Sequence, residues 1–228
     1  MRFVISPSEP VCLTISGSDE LFPVNRAFCI GRNYADHAIE MGGNPDREEP
    51  FFFMKPASAI VPGGGRLPYP TATENLHHEV ELVVALAKGG RDISVKGALD
   101  LVYGYAVGID LTRRDLQDVA KKAGRPWDMA KGFDASGPVG ALTPAATCGH
   151  PEDAAITLSV GGEARQSGNI NQMIWKTAEA ISYLSRLVAL KPGDLLFTGT
   201  PAGVGPIARG ERVHCEIAGL TPLDCQLA

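Results

Sequence analysis

Twenty-six glycines and seventeen prolines punctuate the 228 residues of this chain, and they leave little room for the long uninterrupted helices of a bundle. Glycine's backbone freedom and proline's missing N–H end helices and strands alike. The sequence therefore reads as many short strands with a few helices, a β-rich fold. Strands are expected over 11–15, 26–30, a buried 51–56, the run that opens at His78, 101–110, 139–142 and 155–160. Gly161-Gly162 gives the last of these a hairpin turn. A short helix over 33–41 is stopped by Gly42-Gly43. A second starts at Thr112-Arg113-Arg114-Asp115, where the Thr-x-x-acid spacing predicts a cap, and runs to Gly124. A third follows from Ile174, Ala178, Ile181, Leu184, Leu187 and Val188 at near-helical spacing, closed by Lys191-Pro192-Gly193. Residues 44–50 are polar, charged and proline-bearing, a loop able to move.

The length suits one domain with a sizeable core. No apolar stretch approaches membrane-spanning length, and the first residues lack the apolar region of an export signal; the expected setting is the cytoplasm. Five cysteines without Cys-x-x-Cys spacing support neither a disulfide framework nor a zinc knuckle. A net charge of −5 without a basic run argues against nucleic acid as a partner. An anionic substrate must then be attracted locally.

Local attraction has candidates. In His78-Glu79-Val80-Glu81-Leu82 a strand points Glu79 and Glu81 to one face while Val80 and Leu82 pack behind. About thirty residues later Asp110 ends another apolar run. Three carboxylates suit a hard cation such as Mg²⁺ or Mn²⁺, although Glu-x-Glu also fits the solvent side of a half-exposed strand. His37 and Glu40 lie one helical turn apart; the carboxylate would orient the imidazole as a general base for water, or the two form an ordinary surface pair. The glycine-rich loop after 195–198 lacks the phosphate-loop pattern, yet backbone N–H groups at Gly199 and Thr200 could bind a carboxylate. A tight turn is the plainer reading there, and a surface lysine the plainer reading of Lys131.

Six motifs occur in order: Gly-Arg-Asn-Tyr-x-x-His-x-x-Glu at 31–40, Phe-x-Lys-Pro at 53–56, His-Glu-x-Glu at 78–81, Gly-x-Asp-x-Thr-x-Arg-Asp at 108–115, Lys-Gly-Phe-Asp at 131–134 and Thr-Gly-Thr-Pro-x-Gly-Val-Gly at 198–205. Together they resemble the fumarylacetoacetate hydrolase family, in particular its short acylpyruvase and fumarylpyruvate hydrolase-like members. The resemblance implies an α+β, β-rich mixed β-sandwich roll, a homodimer and bound Mg²⁺ or Mn²⁺. Residues 25–228 would form one catalytic domain, with residues 1–24 a short extension packed on it. The resemblance places the metal on Glu79, Glu81 and Asp110, the base dyad on His37 and Glu40, and the substrate-side cation on Lys131. Arg32, Lys55, Arg114 and Gln117 become substrate-binding candidates, with the backbone at Gly199 and Thr200 on the α-carboxylate. The distal acyl group would be read by residues 44–53 and 121–129, and the dyad helix with the 44–50 loop would close as a lid.

The implied reaction is hydrolysis of the carbon–carbon bond of a small anionic α-keto acid, an acylpyruvate, with fumarylpyruvate first among candidates and an aromatic-degradation setting. Oxaloacetate decarboxylation, or isomerisation or dehydration of an α-keto acid, fits the same scaffold. A non-catalytic metal-binding protein would have no need of His37, Glu40 and Lys131 beside the carboxylates.

Overall fold

The run Val80–Leu86 is buried at every position, which a strand achieves only when both faces of its sheet are covered. The computed structural model describes residues 2–40 and 47–228 and sets this strand inside a mixed eight-stranded sheet. Asp194–Phe197 and Val102–Ile109 flank it, both antiparallel. Arg26–Ile30 and the edge strand Phe52–Lys55 follow on one side. Gly137–Val139 and Ile60–Pro62 follow on the other, and Thr143–Pro144 pairs with Val102–Ile109. A second sheet of five strands runs Glu163–Asn169, Ala155–Val160, Arg212–Ile217, Leu223–Leu227, Gly65–Leu67.

Side-chain alternation assigns the two faces. Val80, Leu82, Val84 and Leu86 join Ile156, Leu158, Val213 and Cys215 of the second sheet in the main core. Val83 and Ala85 face a second core with Ala27, Cys29, Phe197 and four side chains of the N-terminal region, Leu13, Ile15, Phe22 and Val24. The hairpin Cys12–Ile15 with Ser18–Pro23 thus lies over that face, tied by Ser16 N–H to Leu142 O and Leu142 N–H to Thr14 O. With about 39 % strand and 21 % helix, the result is the mixed β-sandwich roll of an α+β, β-rich protein.

Several local expectations shift. The first helix spans Ala35–Glu40 among the described residues, because Tyr34 is drawn into a bridge with Met173. The glycine stop at 42–43, and residues 44–46 of the loop, lie outside the described residues. Phe52–Lys55 is an edge strand in which only Lys55 is buried. Residues 139–142 divide into strands ending at Val139 and starting at Thr143. Thr112 does not cap a helix: it sits in a two-residue strand paired with Leu76–His78, and the helix Arg114–Lys122 begins after it. Asp115 instead binds Thr73 Oγ1, Glu74 N–H and Leu116 N–H. The long helix is Thr177–Leu187; Ile174 and Trp175 are held outside it by hydrogen bonds to Asn33. Lys191-Pro192-Gly193 forms the turn into Asp194–Phe197, with Gly193 at φ 85°.

Asp194 anchors that turn. Fully buried, it accepts from Asn25, from Arg26 Nε and Nη2, and from Lys191 N–H. Asp194→Ala leaves these donors without an acceptor and is expected to cost about 3 kcal/mol, read as a lower urea midpoint with an unchanged slope.

Candidate active site

Glu79 links the short strand Leu76–His78 to Val80–Leu86, and Glu81 lies two residues on, inside the latter. Asp110 follows Val102–Ile109, the neighbour of that strand. Adjacent strands therefore deliver all three carboxylates to one place, with ligand oxygens within 4.8 Å of one another. Glu79 is 5 % exposed, Glu81 2 % and Asp110 0 %, so the solvent-face alternative for Glu-x-Glu does not hold.

Cations surround two of the three. Lys131, itself buried at the end of the short helix Asp128–Lys131, donates to Glu79 Oε2 at 2.8 Å, Asp110 Oδ2 at 2.6 Å and Thr112 Oγ1 at 2.6 Å. Those three bonds engage every donor an ammonium possesses. Lys55 Nζ lies 2.8 Å from Asp110 Oδ1 and donates to the carbonyls of Leu111 and Lys131. Arg114 donates to Glu79 Oε1 and Gln117 Oε1, each at 2.5 Å, and through Nε to His77 Nδ1. Burial and the Arg114 charge bring the His77 pKa down to about 4, so its imidazole is neutral and able to accept.

Glu81 differs. Its partner is the backbone N–H of Gly199, at 2.7 Å from Oε2. Gly199 adopts φ 91°, and a Cβ there would meet Asn33 Cβ at 2.7 Å; glycine alone suits a turn held this way. Burial, then the charges of Asp110 and Glu79, push the Glu81 carboxyl well above its usual range. Burial opposes ionisation of Glu79 too, but Lys131 and Arg114 hold it well below that range. Burial likewise opposes the Lys131 charge, yet Asp110 and Glu79 raise its pKa. One carboxylate of the cluster thus lacks a cation beside it. An all-oxygen donor set with that deficit fits a hard divalent ion.

His37 lies in the wall of the same cavity. Its Nδ1 is 3.3 Å from Glu40 Oε2, and the Glu40 carboxylate also accepts from Gly203 N–H. Burial lowers the His37 pKa against the opposing pull of Glu79 and Glu40, leaving the ring neutral near pH 7.

The cavity gathers His37, Glu79, Glu81, Asp110, Lys131, Arg32, Arg114, Gln117, Gly199 and Thr200. It does not gather Lys55, which is fully buried behind Asp110. Nor is Gly199 N–H available to a substrate carboxylate, since it holds Glu81; Thr200 lines the wall, its hydroxyl accepting from Gln166 at 2.7 Å. Several participants carried no individual signal in the sequence. Thr112 binds Lys131. Gln166 accepts from Val80 N–H, between the two glutamates, and donates to Thr200. Phe53 and Trp127 line the wall. Lys121 could have been found from helical spacing, four residues beyond Gln117.

The model of the fumarylacetoacetate (FAA) hydrolase C-terminal domain matches residues 26–228. The chain belongs to the fumarylacetoacetate hydrolase family. Within that family it is similar, at 54 % identity and a TM-score of 0.98, to the crystal structure of fumarylpyruvate hydrolase from Pseudomonas aeruginosa in complex with Mn²⁺ and pyruvate, covering 100 % of this chain and 99 % of that one. It is also 44 % identical over 192 residues to a mitochondrial oxaloacetate tautomerase of Bos taurus, covering 84 % of this chain and 86 % of that one. A mitochondrial oxaloacetate decarboxylase of Dictyostelium discoideum is 43 % identical over 192 residues, 84 % of this chain and 88 % of that one. Family members are thus enzymes of more than one reaction class. Among the described residues no helix is long and apolar enough to cross a membrane.

Glu81→Gln tests the metal centre. Mn²⁺ should raise the wild-type melting temperature, as any ligand of the native state does, and should leave that of the Glu81→Gln protein unmoved at the same concentration.

Proposed function

We propose that this protein is a hydrolase dependent on Mg²⁺ or Mn²⁺ that cleaves the carbon–carbon bond of an acylpyruvate, converting fumarylpyruvate to fumarate and pyruvate in the breakdown of aromatic compounds. The observation that carries this reading is the buried His37, paired with the more exposed Glu40 and opening into the cavity that holds Glu79, Glu81 and Asp110. A base able to activate water beside a cation site is what hydrolysis of such a bond requires. Likeness over the whole chain to a fumarylpyruvate hydrolase supports the choice of acyl group.

In the proposed mechanism, Glu79, Glu81 and Asp110 would hold the cation, which when bound would supply Lewis acidity toward the α-keto acid end of the substrate and the enolate charge on its pyruvate half. Arg32, Arg114, Gln117 and Thr200 bind and orient the anion. With Nδ1–H directed at Glu40, His37 keeps its lone pair on Nε2 and takes a proton there from water. The water oxygen adds to the distal carbonyl, the carbon–carbon bond breaks with its electron pair leaving on the pyruvate side, and the proton on Nε2 returns to that enolate carbon. Lys131, its donors committed to Glu79, Asp110 and Thr112, favours the enolate as a buried positive charge rather than as a direct hydrogen-bond donor. Lys55 serves behind it by fixing Asp110. We place the reaction in one catalytic domain over 25–228, with residues 1–24 packed on it, in a cytoplasmic homodimer.

Oxaloacetate tautomerisation or decarboxylation is the second reading, favoured by the names of the curated relatives; neither reaction needs an attacking water. A steady-state comparison of fumarylpyruvate, acetylpyruvate and oxaloacetate with Mg²⁺, Mn²⁺ and chelator separates the two. Hydrolysis should favour fumarylpyruvate and stop with chelator; a clear preference for oxaloacetate would replace the hydrolase reading. His37→Ala should lower kcat by about 10²- to 10⁴-fold while Mn²⁺ still raises the melting temperature. Because the His37 pKa lies below 6.5, the unprotonated base persists into mildly acidic solution. The acid limb of kcat/KM should therefore have its midpoint below that value, activity falling as pH drops through it.

A further inference from the structure

Two cations of the cavity take no part in holding the carboxylate cluster. Lys121 is on the helix Arg114–Lys122, where Arg114, Gln117 and Lys121 follow at i, i+3 and i+7 and so share one face. All three line the cavity. Arg114 and Gln117 are bonded to each other and, through Arg114, to Glu79; Lys121 is half-buried one turn further out. Its ammonium lies 5.6 Å from the Trp127 ring centroid. Arg32 lines the same cavity, its guanidinium carbon 5.9 Å from the Phe51 ring centroid, with its backbone held at φ 55°. That left-handed conformation is costly for an arginine and is met most often where a site requires it. Among the described residues neither Lys121 nor Arg32 has a carboxylate within ion-pairing distance. Burial lowers the Lys121 pKa, and the charges of Arg114 and Arg32 lower it further against the pull of Asp118 and Glu79. An exposed arginine and a half-buried lysine that line one cavity, neither of them ion-paired, describe a place for an anion.

The surroundings say what kind. Phe53 and Trp127, 5.8 Å apart between ring centroids, line both this cavity and a groove that continues past Phe51. From Arg114 to Lys121 the helix advances about 10 Å, the order of the length of an extended acylpyruvate with a carboxylate at each end. We infer that Lys121 and Arg32 bind a second, distal carboxylate of the substrate, so that the site selects α-keto acids carrying a carboxylate at both ends, with the connecting chain against Phe53 and Trp127. The inference rests on the acylpyruvate hydrolase reading for the reaction, but the recognition it describes is separable from that reaction.

Turnover and binding test it separately. In Lys121→Met, kcat/KM for fumarylpyruvate should fall by about ten- to a hundredfold, the value of a charge-assisted hydrogen bond, chiefly through KM. Acetylpyruvate, which lacks the distal carboxylate, should be turned over as by the wild type, and Lys122→Met, on the exposed neighbour, should leave both substrates unaffected. Equal losses on both substrates, or no loss on either, would overturn the inference. Independently of turnover, calorimetric titration of the Mn²⁺-loaded protein with 2-oxopimelate and with 2-oxoheptanoate compares ligands of one length that differ in the distal carboxylate. The wild type should prefer 2-oxopimelate by about tenfold or more, and Lys121→Met should lose that preference. Equal affinity of the wild type for the two would remove the subsite whatever the reaction. Retained preference alongside failure to hydrolyse any acylpyruvate would keep the subsite and discard only the hydrolase.

Discussion

The buried ammonium of Lys131 ties the structure to its chemistry. It reaches Glu79 and Asp110, carried by different strands, and Thr112 beyond them, through bonds of 2.6 to 2.8 Å. Lys55 presses on Asp110 from behind and Arg114 on Glu79 from the side. Taking such charges out of water costs several kcal/mol for each ion, and an apolar filling of the same volume is often as stable. A core built only for stability has no reason to hold this network. A site that must present oxygen ligands in fixed positions does, because each paired carboxylate oxygen is fixed in place and still has a second lone pair.

The sheet makes the network possible. Val80–Leu86 is covered on one face by the five-stranded sheet and on the other by the second core, and rigid strands locate side chains more closely than loops do. Where the strand meets the short Leu76–His78 segment, polarity enters the buried layer, and it is satisfied group by group. Gln166 takes Val80 N–H and gives to Thr200 and to the carbonyl of Pro201. It thereby joins the glutamate-bearing strand to the loop that supplies Gly199. Glu81 remains the member with a backbone N–H in place of a cation, and this asymmetry sets the cluster apart from a closed ion-pair network.

Much of the fold and of the site was legible because the signals were local. Punctuation by glycine and proline gave short strands, alternation placed Glu79 and Glu81 on one side, and the i, i+3 spacing joined His37 to Glu40. Errors came where a local pattern met a stronger distant partner. Thr112 has the spacing of a helix cap, but its hydroxyl accepts from Lys131. Ile174 fits the helical period, yet its N–H is bound to Asn33 O. Lys55, read as a substrate contact, is drawn behind Asp110. Gly199, read as a carboxylate binder, spends its N–H on Glu81.

By itself the sequence determined the β-rich architecture, the family and the set of ionisable groups that converge, since these follow from residue periods and the order of motifs. Only the tertiary structure decided which charge stands beside which. Gly199 and Glu81 are 118 positions apart and Lys55 and Lys131 are 76 apart. Partner choice depends on through-space distance and on burial, which fix the strength of each electrostatic contact. One-dimensional spacing carries neither quantity, and so the division of cations into those that hold the carboxylates and those that face the cavity emerges only when the chain is folded.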